Sequence, residues 1–221
     1  MTIYIIGDST VEDNKPPFRG WGWALPEFVK EGVSVKNCAL SGTSSRSFRT
    51  KGLFAPVEEH IGPGDLLLIQ FGHNDEKPDA ERATDPDSSF PEFLWEYCTC
   101  ALEHGATPVL ITPVERRFFT ADGGLMFTHG EYPLAVRTLA KRKQLPLINL
   151  HALTRQLYLE KGPDETAKLF VQLAPGENPD FPEGHDDKTH FNAYGAKVIA
   201  GIVAEELKKL PAAGEYMQKS K

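Results

Sequence analysis

The sequence predicts an α/β fold with a five-stranded parallel sheet covered by helices on both faces. Short, continuous apolar runs recur along the chain, and such runs are typical of strands that are buried on both sides. Segments with apolar residues at helical spacing separate these runs, which is the order expected of strand–helix–strand units. Crossovers between parallel strands are almost always right-handed, so we expect a flavodoxin-like, three-layer α/β/α arrangement with a doubly wound sheet.

The strand and helix candidates alternate along the chain. The predicted strands cover residues 3–6, 33–37, 65–71, 108–112 and 146–150. The predicted helices cover residues 21–31, 90–104, 131–143 and 192–210. Two stretches rich in Asp, Pro and Glu, 76–89 and 175–187, predict surface loops. The sequence leaves open whether these loops are walls of a cleft or simple connections.

Length and composition predict one globular domain over residues 1–221. No linker of Pro, Gly or Ser divides the 221 residues, of which 40% are hydrophobic and 25% charged. The net charge of −7 and the lack of a basic stripe argue against nucleic-acid binding. No apolar stretch approaches the roughly 18 residues that a membrane span needs. The expected assembly is a monomer or a weak dimer.

Two features predict a cytoplasmic location. Residues 1–6 lead straight into a glycine turn, without the basic and long apolar regions of a secretory leader. The three cysteines, Cys38, Cys98 and Cys100, are an odd number, and the side chains of the last two diverge on one predicted helix. Three reduced thiols fit a reducing compartment.

Three short motifs far apart in the chain carry the groups that a serine esterase requires. Gly7-Asp8-Ser9-Thr10 follows the first predicted strand, Gly72-His73-Asn74-Asp75 follows the third, and Asp187-Lys188-Thr189-His190 precedes the last helix. A serine hydroxyl becomes a good nucleophile when a histidine takes its proton and a carboxylate orients that histidine. Ser9, His190 and Asp187 are therefore the candidate catalytic residues.

The same motifs offer hydrogen-bond donors for a negatively charged oxygen. Acyl transfer passes through an intermediate whose oxyanion needs donors placed in advance. The candidates for this oxyanion hole are the backbone N–H groups of Ser9 and Gly42 and the side-chain amide of Asn74. Loops that follow parallel strands meet beyond the carboxyl ends of the sheet, so these residues are expected on one edge.

Each motif also has a plainer structural explanation. Asp8 or Ser9 can cap a helix after the first strand, as such residues often do. Asp187 can cap a turn, with His190 as a surface histidine ahead of the last helix. The joint occurrence of all three motifs favours the catalytic interpretation.

A metal site is a further alternative because potential ligands are dense at the third motif. With more distant candidates, these ligands are His185, Asp186, Asp187, His190, Asp8, His73 and Asp75. The Asp-x-His and Gly-His-x-His motifs of metallophosphoesterases are missing from the sequence. We therefore expect a site without a metal.

Arg116 and Arg117 follow the fourth predicted strand and are expected on the same edge of the sheet. A planar guanidinium there can hold a uronate carboxylate, so both arginines, with His73, are candidate substrate-binding residues. The alternative is a solvated arginine or an ion pair with an acidic neighbour, Glu115 or Asp122.

Aromatic residues near the first predicted helix are a separate question. Trp21 and Trp23 can stack on a sugar face, whereas aromatic residues at the start of a helix usually pack in the core. The sequence leaves both functions open for these two residues.

Taken together, these motifs resemble the SGNH, or GDSL-like, hydrolase superfamily, which is named for Ser, Gly, Asn and His in four blocks of the sequence. The matching residues are Ser9, Gly42, Asn74 and His190, with Asp187 in the last block. More narrowly, five segments resemble the rhamnogalacturonan acetylesterase family, namely residues 7–10, 37–46, 72–75, 112–117 and 187–191. The resemblance spans nearly the whole chain.

The resemblance implies an SGNH hydrolase fold and the removal of acetyl groups from the rhamnogalacturonan backbone of pectin, without a cofactor. Since no leader is recognised, the expected substrate is an imported, acetylated pectic oligosaccharide. The alternatives are a deacetylase of another glycan such as xylan, a short-chain lipase or thioesterase, and a carbohydrate-binding module without catalysis.

Overall fold

The computed structural model describes residues 1–218 and contains a five-stranded parallel sheet. Its strands are β1 (Thr2–Gly7), β2 (Ser34–Asn37), β3 (Leu66–Gln70), β4 (Thr107–Ile111) and β5 (Leu147–Ile148). Their order in the sheet is β2-β1-β3-β4-β5, so the chain winds outward from β1 in both directions. This is the doubly wound α/β sheet that the sequence predicts.

Helices cover both faces of this sheet. Within the described residues they are α1 (Trp21–Ala24), α2 (Ser45–Thr50), α3 (Ala55–His60), α4 (Ser89–Glu103), α5 (Tyr132–Lys143), α6 (Leu150–Ala167) and α7 (Ala193–Lys208). Successive strand residues point to opposite faces. Ile3 and Ile5 therefore join a buried cluster with residues of α1, α6 and α7. Tyr4 and Ile6 join a second cluster, with residues of α2, α3, α4 and α5.

The element boundaries agree with the sequence where the pattern is strong. Strands β1 to β4 lie within one residue of their predicted ends. The prediction for 146–150 is too long, because Leu150 already begins α6 and β5 keeps two residues. The predicted helix 21–31 is also wrong beyond Ala24, where a 3₁₀ turn at Leu25–Phe28 follows. Pro26 lies in that turn, and proline has no N–H for an α-helical hydrogen bond.

Several elements are absent from the sequence prediction. They are α2, α3, α6 and an antiparallel pair of strands, β6 (Phe170–Leu173) and β7 (His185–Phe191), that lies outside the main sheet. The sequence of β7 is largely polar, so it lacks the alternation of apolar residues that marks a strand. β7 begins inside the segment 175–187 that was predicted as a loop.

The sheet register brings the first two motifs together. Gly7, the last residue of β1, pairs with Gln70, the last residue of β3, so the loops that follow both strands start side by side. The third motif lies on β7, just before α7. The Asn192 side chain caps α7 by accepting a hydrogen bond from the Gly195 N–H at 2.9 Å. A Cβ at Gly195 would lie 1.9 Å from the Leu169 oxygen, so α7 packs closely against the start of β6.

Two further expectations concern the whole chain. No helix within residues 1–218 is long and apolar enough to cross a membrane. Cys38, Cys98 and Cys100 are free thiols, as the sequence predicts. Burial raises the pKa of Cys98 to about 12, so this thiol stays protonated and unreactive at neutral pH.

Candidate active site

Ser9, His190 and Asp187 form a continuous chain of hydrogen bonds at the carboxyl edge of the sheet. The Oγ of Ser9 lies 2.9 Å from Nε2 of His190. The other ring nitrogen, Nδ1, lies 2.9 Å from Oδ2 of Asp187. With Nδ1–H donating to the carboxylate, Nε2 is free to accept the serine proton. The geometry is that of a nucleophile, a general base and a group that orients the base.

A bulge in β7 presents Asp187 and His190 on the same side. Phe170 of β6 pairs with Phe191, and Gln172 pairs with Asp186, so one residue of β6 faces residues 187–190 of β7. The sequence predicted a short loop for this pairing, and the structure corrects it to an irregular strand. In a regular strand, residues three apart would point to opposite faces.

The Asp187 carboxylate is nearly buried and is held as an anion. Its Oδ1 accepts the backbone N–H groups of Thr189 and His190, both at 2.7 Å. Its Oδ2 lies near Nδ1 of His190 and also 3.0 Å from Nε2 of His185. Burial raises the pKa of Asp187, but the hydrogen bonds and charge of His190 and the backbone donors outweigh it and lower the pKa well below its usual value.

Ser9, Gly42 and Asn74, the residues of the three predicted oxyanion donors, line one cavity. Asn74 uses Nδ2 to donate to the Thr43 oxygen at 2.9 Å, and an amide nitrogen carries a second N–H. Within residues 1–218, no hydrogen bond engages the backbone N–H of Ser9 or Gly42. Gly42 has a φ of 77°, the left-handed region that favours glycine, and nothing lies within 4 Å of a Cβ built there. The turn conformation therefore explains this glycine.

Asp8 and His73 form a buried pair next to Ser9. Oδ1 of Asp8 accepts the N–H and the hydroxyl of Thr10, at 2.9 and 2.8 Å, which fixes the turn that presents Ser9. Oδ2 of Asp8 lies 3.3 Å from Nδ1 of His73. Burial raises the pKa of Asp8, but His73 and the Thr10 donors lower it more, so the pKa falls below its usual value. His73 is 3% exposed, and its role as a substrate ligand stays a prediction.

Asp75, the last residue of the second motif, accepts hydrogen bonds from three separate parts of the chain. Its carboxylate accepts the N–H groups of Gly72 and Ser45, both at 3.0 Å, and the Thr84 hydroxyl at 3.2 Å. Burial raises the pKa of Asp75 to about 7. A Cβ at Gly72 would lie 2.9 Å from the Pro113 ring, so the turn before Asn74 is tightly packed. From the sequence alone Asp75 is only a possible metal ligand, although it belongs to the second motif.

The two predicted substrate arginines are engaged within the protein. Arg116 forms an ion pair with Glu76 at 2.6 Å and donates to the Thr128 oxygen at 2.8 Å. Arg117 forms an ion pair with Asp186 and donates to the Asp187 oxygen at 3.2 Å. The acidic partners proposed from the sequence, Glu115 and Asp122, are wrong, because the ion-pair partners lie far away in the chain. Recognition of a substrate by either arginine stays a prediction.

A cleft passes over Ser9, Asn74 and His190 and consists of two adjoining cavities. The first, of about 610 Å³, is lined on the far side by Asn14, Lys15, Pro16, Pro17, Phe18, Ser41, Gly42, Asp180, Phe181 and His185. The second, of about 430 Å³, is lined by Glu76, Lys77, Arg116, Phe118, Thr128 and Thr189. The stretches 76–89 and 175–187 therefore do contribute walls. The wall at residues 14–18 was missed, because nothing in its sequence distinguishes it from an ordinary loop.

Trp21 and Trp23 line neither of these two cavities. Trp21 is fully buried and donates from its ring N–H to the Gln70 side chain at 2.9 Å. The ring of Trp23 lies against the cationic groups of Arg19 and Lys197. Packing, and not sugar stacking, accounts for both side chains.

Potential metal ligands come together at a place that the sequence motifs do not indicate. Within residues 1–218, the only group of this kind is Glu115, His129 and His151, whose ligand atoms lie within 4.8 Å of one another. Arg155 donates to Oε2 of Glu115 at 2.9 Å, so a cation already balances this carboxylate. Burial lowers the pKa of His129 to about 3, which keeps its ring neutral.

Comparison with known proteins places these features in a family. A family model described as the GDSL-like lipase/acylhydrolase family matches residues 5–198. The rhamnogalacturonan acetylesterase RhgT of Bacillus subtilis (strain 168) is 45% identical, over 95% of this chain and 90% of the relative. The probable rhamnogalacturonan acetylesterase YesY of the same organism is 34% identical, over 94% and 93% respectively.

A solved structure shares the fold. The crystal structure of protein YxiM of Bacillus subtilis has a TM-score of 0.81 and 29% identity, over 94% of this chain and 56% of that one. The region that the family model matches contains both Ser9 and His190, which are joined by the hydrogen bond between Oγ and Nε2. The resemblance inferred from the four sequence blocks is confirmed, and this chain belongs to the GDSL-like lipase/acylhydrolase family.

Proposed function

We propose that this protein is a serine esterase that removes O-acetyl groups from rhamnogalacturonan oligosaccharides. The observation that carries the esterase assignment is the hydrogen-bonded chain from Ser9 through His190 to Asp187. The unengaged N–H groups of Ser9 and Gly42 beside this chain support it. The substrate rests on the relatives at 45% and 34% identity, which bear the name rhamnogalacturonan acetylesterase.

In the proposed reaction, the Ser9 oxygen attacks the acetyl carbonyl carbon while His190 takes the proton of the Ser9 hydroxyl. The bond between that carbon and the sugar oxygen then breaks, and His190 returns the proton to the leaving sugar hydroxyl. Water, deprotonated by His190, then attacks the carbonyl carbon of acetyl-Ser9. The bond between this carbon and the Ser9 oxygen breaks, acetate leaves, and His190 returns the proton to the Ser9 oxygen. Asp187 remains ionised throughout and stabilises the imidazolium form of His190.

The tetrahedral intermediate carries a negative oxygen in each half of this reaction. The backbone N–H groups of Ser9 and Gly42 and the amide of Asn74 are the donors for it. The hydrogen bond from Asn74 to the Thr43 oxygen fixes the amide before substrate arrives. Such fixed donors stabilise the transition state more than the substrate and therefore act on kcat.

The shape of the cleft suits a chain-like substrate better than a single long acyl group. Ser9 lies where the two cavities adjoin, so an oligosaccharide can extend to both sides of the reacting ester. Lys15 lines one cavity and Lys77 the other, which places a cation on each side of Ser9. Opposite charge attracts the uronate carboxylates of an acidic glycan.

Acetate release tests this proposal. The wild-type protein and Ser9→Ala are compared on acetylated rhamnogalacturonan oligosaccharides, acetylated xylan oligosaccharides and a long-chain acyl ester, with Ser34→Ala on the exposed start of β2 as the matched control. We expect release that favours the pectic substrate, resists a chelator and falls by about 10⁴-fold or more only in Ser9→Ala.

Other outcomes would contradict the substrate, the serine mechanism or the enzymatic function separately. Preference for xylan or for the long-chain ester keeps the serine mechanism and replaces the substrate. Activity that survives Ser9→Ala but disappears with a chelator replaces the serine mechanism with a metal-dependent one. Sugar binding without turnover of any ester replaces the enzyme with a binding protein.

A further inference from the structure

The Asp187 carboxylate accepts from two histidines through one oxygen. Nδ1 of His190 lies 2.9 Å from Oδ2, and Nε2 of His185 lies 3.0 Å from the same atom. The other oxygen, Oδ1, already accepts two backbone N–H groups. A carboxylate has about four lone-pair positions, so the donors fill its capacity. The reaction proposed above uses His190 and gives no role to His185.

The backbone of β7 brings His185 to this position. His185 and Asp186 pair regularly with β6, and Asp187 is the first residue of the bulge. Residues 185 and 187 are two apart, so both side chains lie on the same face of β7, where they meet. The bulge then adds His190 to that face. The two imidazoles therefore flank the Asp187 carboxylate, one from each side along the chain.

Two aromatic rings hold the His185 ring in place. The Phe181 ring packs against it with the centroids 4.5 Å apart. Phe18 presents its edge to His185 at 6.1 Å and to His190 at 5.8 Å, and therefore contacts both imidazoles. The His185 side chain keeps 32% of its surface exposed, so its ring can exchange protons with solvent.

We propose that His185 is a positioning residue that lowers the basicity of His190 by donating to their shared Asp187 oxygen. This inference rests on the proposed function. An Nε2–H of neutral His185 draws electron density from Oδ2, so Asp187 stabilises the His190 imidazolium less. When His185 is itself protonated, its positive charge opposes the charge on His190 directly. Both effects weaken the stabilisation that Asp187 gives to the positive charge of the His190 imidazolium.

Other charged groups near the two rings stay the same when His185 is changed. Lys15 lies after β1 and Arg117 after β4. Asp180 and Glu183 lie in the β6–β7 connection, and Asp186 and Lys188 lie on β7 itself. A comparison of variants at position 185 therefore isolates the contribution of this one side chain.

The experiment compares wild type, His185→Gln and His185→Phe. Glutamine keeps a neutral donor and loses the titration, whereas phenylalanine keeps the packing against Phe181 and loses the donor. The first measurement is the titration midpoint of the His190 ring by NMR. The second is the pH profile of kcat/KM for p-nitrophenyl acetate, a neutral ester that makes no demand on sugar recognition. Circular dichroism and thermal unfolding check that each variant is folded.

We expect the His190 midpoint to rise by about half to one pH unit in His185→Phe, the equivalent of one hydrogen bond. The rise in His185→Gln should be smaller. The acidic limb of kcat/KM should move with the midpoint.

An unchanged midpoint in both folded variants would overturn the inference. A higher KM with an unchanged midpoint would also overturn it, and would limit the function of His185 to its place in the wall of the cleft. Because the ring titration needs no turnover, a failure of the proposed function shows as lost hydrolysis in wild type and is distinct from a failure of this coupling.

Discussion

Ser9, Gly42 and Asn74 follow elements of the buried parallel sheet, whereas Asp187 and His190 lie on a two-stranded hairpin outside it. The sheet side is held by strand register and by buried carboxylates, Asp8 next to Ser9 and Asp75 behind Asn74. The hairpin side is held by a bulge that folds the chain around the Asp187 carboxylate. One site is therefore built by two different structural means.

Arg117 connects these two regions. It follows β4 of the main sheet, and its backbone N–H donates to the Lys188 oxygen of β7 at 2.8 Å. Its guanidinium pairs with Asp186 and donates to the Asp187 oxygen. The His190 ring is therefore oriented locally, within β7, whereas its distance from Ser9 depends on contacts between the hairpin and the sheet. Changes on the two sides should therefore have different kinetic signatures.

The largest effect should come from the hairpin side, with Asp187→Asn. An asparagine amide can donate to Nδ1 of His190 and so favour the tautomer that cannot accept the Ser9 proton. We expect kcat for acetate release to fall by about 10⁴-fold with little change in the folded structure. Asp164→Asn is the matched control, because this exposed carboxylate on α6 lines neither cavity of the cleft and should change kcat less than about threefold. Equal losses in the two variants would contradict the local orientation of His190.

The next effect should come from the sheet side, with Asn74→Ala. Removing one oxyanion donor is expected to lower kcat by about 100-fold or more. KM should stay near its wild-type value, because the donor acts on the transition state and not on the bound ester. Steady-state kinetics on one acetyl ester separate the two parameters. Full activity in this variant would remove Asn74 from the oxyanion hole.

The sequence predicts the sheet side well because its signals are local. β1 and β3 are continuous apolar runs, and the turns that carry Ser9 and Asn74 follow them directly. Strand pairing then brings both turns to one edge without further information. Gly42 could be anticipated in the same way, since its turn lies between β2 and α2.

The hairpin side is harder to predict because its structure depends on distant contacts. β7 contains five polar or charged residues in succession after His185, and only its pairing with β6 makes it a strand. The partners of the two arginines, Glu76 and Asp186, lie 40 and 69 residues away in the chain. His185 received no catalytic role from the sequence, because the bulge that aligns it with His190 is not visible there.

A smaller effect concerns the stability of the sheet side, with Asp75→Asn. Burial raises the pKa of Asp75 to about 7 from its usual 3.8, so the folded state binds this proton more tightly than the unfolded state. The stability that Asp75 contributes is therefore present below about pH 4 and is lost as the pH rises through 7. The asparagine variant does not titrate at this position, so its free energy of unfolding lacks this decrease between pH 4 and pH 7. Its NH2 group would replace one carboxylate oxygen and face the N–H group of either Gly72 or Ser45, at a cost of roughly 1–3 kcal/mol.

Urea unfolding at several pH values measures this difference. The gap in the free energy of unfolding between wild type and Asp75→Asn should narrow from pH 4 to pH 7. Asp8 and Asp187 have lowered pKa values, so they titrate below this window and are common to both proteins. A gap that widens instead would show that the surrounding N–H donors hold Asp75 as an anion.

The smallest effect should come from the walls of the cleft, where Lys77 follows β3 and Lys15 follows β1. Lys77→Ala should raise KM for an acetylated rhamnogalacturonan oligosaccharide by about two- to fivefold and leave kcat unchanged, since an exposed charge pair contributes little. Lys209→Ala, at the far end of α7, is the matched control. A neutral acetyl ester should show no change in either variant.

Lys15→Ala extends the same measurement to the hairpin side, because Lys15 lines the cavity that contains Phe181 and His185. A larger rise in KM for Lys15→Ala than for Lys77→Ala would place the stronger carboxylate contact beside the hairpin. The reverse order would place it beside the sheet, in the cavity of Lys77 and Arg116. If neither variant changes KM, neither lysine contributes to substrate recognition. The two variants together thus decide on which side of Ser9 the acidic sugar lies.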